Sequence, residues 1–157
     1  MLTPRRIDDD GALAAVREAF EIELGGQAFY HRAARDTAEP ALRELFGKLA
    51  DMELEHMATL SRRYHAKVPT PSESFHLDRA ALFGGVDNRP EDPANLLRIA
   101  IAFERRAVEF FEGRGAVAAE DSPEKALYRE LAAEEREHAA LLTTEYQRWT
   151  EGKPGML

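Results

Sequence analysis

Apolar residues return along this chain at intervals of three and four, the spacing that lines one face of an α-helix. Leu13, Val16, Phe20, Tyr30 and Ala34 follow that rule in a stretch rich in Ala, Glu, Leu and Arg, and predict a first helix over about residues 9–38. Glu39-Pro40 interrupts it, and the proline then offers a preorganised first turn to a second helix over about 40–65. The inward face of that helix reads Leu42, Leu45, Phe46, Leu49, Glu53, His56 and Leu60. The periodicity lapses over residues 67–91, where Pro69, Pro71, Gly84, Gly85 and Asn88 favour turns, although Asp78 to Phe83 has the length for one or two helical turns. Asp92-Pro93 joins an N-cap to a proline at the first helical position and opens a third helix over about 93–118, carried by Leu96, Leu97, Ala100, Ile101, Glu104, Val108 and Phe111. Ser122-Pro123-Glu124 repeats that signal for a fourth over about 122–150, through Leu127, Leu131, Glu135, His138 and Leu142 toward Trp149. Gly152, Pro154 and Gly155 supply its stop.

Helices of roughly 25 to 29 residues are about 40 Å long at 1.5 Å per residue, the length of four-helix bundles. The pattern therefore predicts an all-α, antiparallel four-helix bundle in a single domain over residues 1–157. Short connections make helices 1 and 2, and helices 3 and 4, antiparallel neighbours. The segment 67–91 is long enough to run the length of the bundle, a crossover that makes helices 2 and 3 parallel.

Composition narrows the function classes. With 157 residues and 44% hydrophobic content the chain can bury a substantial core. A net charge of -8 argues against a nucleic-acid-binding surface and against a polybasic membrane patch. No stretch approaches the roughly 18 to 20 apolar residues of a membrane span, and Arg5-Arg6 is followed by no apolar run of a secretory signal. These features predict a soluble, cytoplasmic protein. Without cysteine, any bound metal must be held by oxygen and imidazole nitrogen.

The chemistry lies where polar residues break the apolar faces. Glu53-x-x-His56 sits between Leu49 and Leu60, and Glu135-x-x-His138 between Leu131 and Leu142. Residues three apart share a helical face, so each pair can present a carboxylate and an imidazole to one ion. Upstream of each pair a glutamate precedes an aromatic pair: Glu23 with Phe29-Tyr30, and Glu104 with Phe110-Phe111. Glu23, Glu53, His56, Glu104, Glu135 and His138 thus form two matched triplets, the inventory of a carboxylate-bridged two-metal site in a helical bundle. Four ionised carboxylates balance two divalent cations, whereas without cations such a cluster must take up protons or water. Oxygen and nitrogen ligands suit iron and also manganese or zinc.

The duplication is imperfect next to the ligands. Tyr30, on the face of Glu23, is placed to hydrogen-bond a ligand carboxylate, and its counterpart is Phe111; Gln27 is matched by Val108, and Glu134, able to orient a histidine, by Met52. Glu55, Glu109 and Glu137 lie off the inward stripe, and His31, His65 and His76 lack partners at ligand spacing. Gly25-Gly26 costs helix stability in mid-helix and predicts close packing there against a helix or a subunit.

Through these residues, including the Leu-Ala-x-x-Glu-x-Glu-His wording shared by both repeats, the chain resembles the ferritin-like superfamily and, within it, the rubrerythrin-type di-iron proteins. The resemblance implies a ferritin-like bundle with one long crossover. It also implies two iron ions bridged by Glu53 and Glu135, one nitrogen ligand each from His56 and His138, and terminal carboxylates from Glu23 and Glu104. The implied activity is reduction of hydrogen peroxide or dioxygen, in a homodimer. Rubrerythrins usually add a glutamate three residues after the third-helix ligand, where this chain has Ala107, and a cysteine-ligated iron domain that this chain cannot form. Electrons would then come from a separate donor protein. Ferroxidase activity, iron binding or storage without peroxidase turnover, and a helical interaction module with a polar packing layer are the alternatives.

Overall fold

Proline and short capping side chains set the helix starts. The computed structural model describes residues 10–64 and 92–151, with residues 10–13 described by backbone alone. It contains α1 (Asp10–Asp36), α2 (Pro40–Tyr64), α3 (Pro93–Val117) and α4 (Pro123–Thr150). Pro40, Pro93 and Pro123 each open a helix, where a missing N–H costs nothing. The Asp92 carboxylate accepts from Ala94 N at 3.1 Å, and the Ser122 hydroxyl accepts from Lys125 N at 3.2 Å. At the other end of α3, the Gly115 carbonyl accepts from the Ala118 N–H at 3.3 Å and also from the buried Lys125 ammonium at 2.8 Å. The turn from α1 to α2 is fastened by Arg43, which donates to the Thr37 carbonyl at 2.9 Å.

Direction follows from the core. α1 packs along α2 and α3 along α4 as two hairpins. One buried cluster gathers Tyr30 and Ala33 near the end of α1, Leu42 and Phe46 at the start of α2, Leu96 and Leu97 at the start of α3, and Leu142 late in α4. The other gathers Val16 and Phe20, Met57 and Leu60, Phe103 and Phe111, and Leu127 and Leu131, from the opposite halves of the same helices. Helices α2 and α3 therefore run the same way, and Tyr64 and Asp92 lie at opposite ends of an all-α four-helix bundle. The crossover expected over residues 67–91, the short helix at Asp78 to Phe83, His65, His76 and the stop at Gly152, Pro154 and Gly155 fall outside the described residues. Among the described residues, no helix is long and apolar enough to cross a membrane.

The glycine pair divides into two roles. A Cβ on Gly26 would stand 3.0 Å from Phe103 Cε2 and 3.4 Å from the Glu53 carboxyl carbon, so its absence lets a fully buried ring and a buried carboxylate close on α1. A Cβ on Gly25 would meet nothing within 4 Å. Gly25→Ala is expected to raise stability by up to about 1 kcal/mol through helix propensity. Gly26→Ala should instead lower it, because crowding a packed core costs about 1–3 kcal/mol against that same gain. Urea denaturation of the two variants, side by side, checks the opposite signs.

Candidate metal centre

Between the two apolar clusters lies a polar layer. Three-residue helical spacing turns Glu53 and His56 of α2, and Glu135 and His138 of α4, toward the bundle axis, where α1 adds Glu23 and α3 adds Glu104. Glu23, Glu53, Glu104, Glu135 and His138 are 0–1% exposed. The six residues fall into two groups able to hold a metal ion, Glu23 with Glu53, His56 and Glu135, and Glu53 with Glu104, Glu135 and His138; within each group the candidate ligand atoms lie within 4.8 Å of one another. Glu53 and Glu135 occur in both groups, as bridging carboxylates would.

Within the layer, His138 Nδ1 is 3.2 Å from Glu53, 3.5 Å from Glu104 and 3.7 Å from Glu135, while His56 Nδ1 is 3.6 Å from Glu23. The two imidazoles stack with centroids 5.5 Å apart and planes 8° from parallel. Among the described residues, every buried side-chain polar atom without a hydrogen-bond partner belongs to one of these six: both oxygens of Glu23 and of Glu135, one each of Glu53 and Glu104, and Nδ1 of both histidines. Buried polar groups are ordinarily satisfied, and unsatisfied ones call for an explanation. Here they converge, and their donor set of hard oxygens with imidazole nitrogen fits divalent transition-metal ions.

Electrostatics supports the same fit. Burial, and then the Glu135 charge, pushes Glu53 up to about 8, with the histidines opposing. Burial also raises Glu104 well above the ordinary carboxylate value, again with Glu135 adding to it. For Glu135 burial alone would act upward, but the neighbouring Glu104 and His138 bring it below the ordinary value. Burial would lower His138, yet the surrounding glutamates raise it strongly. In the metal-free protein the layer thus retains protons, and the negative potential that retains them would equally favour a cation.

The residues around the ligands break the symmetry as the sequence does. Tyr30, fully buried, donates to Glu104 Oε1, reaching across from α1 to α3 rather than to Glu23 on its own helix. Its ring is held by Phe46, stacked at 6.0 Å, and by the edge of Phe103 at 6.5 Å. Phe111, its repeat counterpart, packs on Tyr128 in the apolar cluster and has no hydroxyl to offer. Glu134 lies 2.7 Å from His56 Nε2. Burial alone would lower the His56 pKa, and the Glu134 contact raises it. Ala107, where the resemblance would place a further carboxylate, is fully buried among apolar side chains. Gln27 and Val108 are half-buried, and Glu55, Glu109, Glu137 and His31 are exposed.

Two residues beside the site did not emerge from the sequence. Arg63 and Glu130 form a two-pronged ion pair, at 2.6 and 3.2 Å, beside an opening at His56. Their signal is positional: Arg63 lies seven residues after His56 and Glu130 four before Glu134, both on ligand-bearing faces, but only the fold shows that α2 and α4 meet there.

Proton linkage gives a test. Glu53, Glu104 and His138 bind protons more tightly in the metal-free fold than in the unfolded chain, so each loses stabilising effect as pH rises. The Glu53 contribution is complete below its unfolded value of 4.5 and gone above about 8, and that of His138 begins to fade above 6.5. Glu135 has the opposite sign, but only below its ordinary value of 4.5. The metal-free protein should therefore melt at lower temperature as pH rises from about 5 to about 8, and a divalent ion should raise Tm more at the upper end. A metal-free Tm that stays flat or climbs over that window would contradict the assignment.

No protein-family model matches the chain, and no curated protein does. Among solved structures it is similar to a hypothetical protein from Pyrococcus furiosus, at 25% sequence identity and a TM-score of 0.62, over 96% of this chain and 99% of that one.

Proposed function

We propose that this protein is a ferritin-like, rubrerythrin-type di-iron oxidoreductase that reduces hydrogen peroxide or dioxygen with electrons from a separate donor. The observation that carries the reading is the convergence, among the described residues, of the unsatisfied buried polar atoms on six residues, in two ligand groups sharing Glu53 and Glu135. Glu23, Glu53, His56 and Glu135 would hold one ion, and Glu53, Glu104, Glu135 and His138 the other. Bound ferrous ions would supply the electrons that carry peroxide to water, and the donor would restore them.

The surrounding residues have definable parts in such a site. With its Nε2 proton engaged by Glu134, His56 directs Nδ1 to the ligand layer. The Tyr30 hydroxyl fixes one oxygen of Glu104 and leaves Oε2 free of other hydrogen bonds. The apolar clusters above and below exclude water, which strengthens every electrostatic interaction within the layer. The opening beside His56 has a volume of about 50 Å³, room for an oxidant the size of a water molecule or two.

Protein purified from iron-replete cells should contain two iron ions per chain, and chelation should lower its stability by about 3 kcal/mol per ion held at 100 times its Kd. With a chemical reductant it should consume peroxide continuously, and Glu53→Ala should fall to the rate of protein-free buffer. A single burst of ferrous oxidation without sustained turnover would point instead to a ferroxidase. Fewer than one ion per chain, with stability unchanged by chelation, would leave the helical interaction module as the reading.

A further inference from the structure

The two ligand groups differ in what surrounds them. All four residues of the His138 group are 0–1% exposed. In the other group the His56 side chain is 18% exposed, and it lines the opening formed with Thr59, Arg63, Glu130 and Glu134. The larger groove between α2 and α4, about 580 Å³ and lined by Leu45, Met52 and Leu141 among others, touches none of the six ligands. Restraint differs as well. Glu104 is tied by the Tyr30 hydroxyl, whereas neither oxygen of Glu23 has a hydrogen-bond partner. The Glu134 carboxylate on His56 Nε2 has Met52 as its repeat counterpart, a side chain with no carboxylate to offer.

Resting on the metal-binding reading above, we infer that the two metal positions are inequivalent by construction: the His56 position is an exchangeable outer site through which ions reach and leave a sealed inner site at His138. The physical reason is access combined with ligand freedom. An ion bound by Glu104 and His138 is enclosed by fully buried ligands, and its only exposed neighbour in the layer is the outer position. An ion bound by Glu23 and His56 faces the opening, and Glu23 can release it without breaking any other hydrogen bond. Glu134 is the positioning residue for the outer site, because a carboxylate on the distal nitrogen orients the imidazole and makes it a better ligand. Tyr30 plays the corresponding part for the inner site through Glu104.

Cobalt(II), whose visible absorption reports its coordination, is a suitable probe. Protein loaded with two equivalents and mixed with excess chelator should lose cobalt in two phases of equal amplitude. Glu134→Gln, at a partly exposed position, should weaken binding and speed release in the fast phase by about 10–100-fold and leave the slow phase unchanged. Tyr30→Phe should do the reverse, speeding the slow phase on the order of tenfold. Loss of the Glu134 contact with His56 should lower the metal-free Tm of Glu134→Gln only modestly, and an effect on release confined to the fast phase is what a merely structural role would not predict. Release of both ions in one phase, or a Glu134→Gln effect shared equally by both phases, overturns the inference while leaving two-metal binding intact. Failure to bind cobalt at all overturns both.

Discussion

Four carboxylates buried in one layer of an apolar bundle are the constraint on which the rest of this structure depends. An isolated buried charge costs several kcal/mol, and Glu23, Glu53, Glu104 and Glu135 are all shielded from water in two overlapping groups that share Glu53 and Glu135. Two imidazoles alone cannot neutralise them. The layer responds by holding protons, most plainly at Glu53 and Glu104, where burial and mutual repulsion both act against ionisation. Such a layer is unfavourable as packing, and bound cations would offset its charge, so its place in an otherwise well-formed core is what makes it a candidate metal site.

The helical architecture serves that layer. In each hairpin, one helix brings a single glutamate and the next a Glu-x-x-His, and because α2 and α3 run parallel the two contributions meet at the same height. Apolar clusters on either side set that height and keep water out. Local concessions follow from the same need. Gly26 gives up helix propensity so that Phe103 and Glu53 can approach α1, and Phe103 in turn supports the Tyr30 ring that reaches Glu104. Burying a large side chain contributes about 1.5–3 kcal/mol, and the two clusters place such side chains on both sides of the polar layer.

Much of this could be read from the sequence because it is written in local periodicity. The helix starts at Pro40, Pro93 and Pro123 rest on capping chemistry that spans three or four residues, and the ligand stripe rests on helical spacing. The end of α1 was less legible: the helix stops at Asp36, because Thr37 leaves the helix and its hydroxyl accepts from Glu39 N at 3.2 Å, a local bond that competes with continuing the turn. What could not be read were pairings across helices. Tyr30 lies on the face of Glu23, so sequence spacing directs attention there, whereas its partner Glu104 is 74 residues away and is reached only through the bundle. The Arg63 pair with Glu130 and the Lys125 contact with Gly115 are of the same kind, contacts created by how helices are juxtaposed.

The duplicated sequence and its breaks act at different levels. Identical ligand types in both halves fix what the layer can bind, since coordination depends on the atoms that touch the ion. Access, restraint and ligand basicity depend on the next residues out, and there the halves diverge: Tyr30 against Phe111, and Glu134 against Met52. One hydroxyl ties Glu104 and one carboxylate supports His56, on opposite groups, so the asymmetry is distributed rather than concentrated at one ion. A symmetric cage with asymmetric supports could hold a pair of like ions while giving the two positions different exposure.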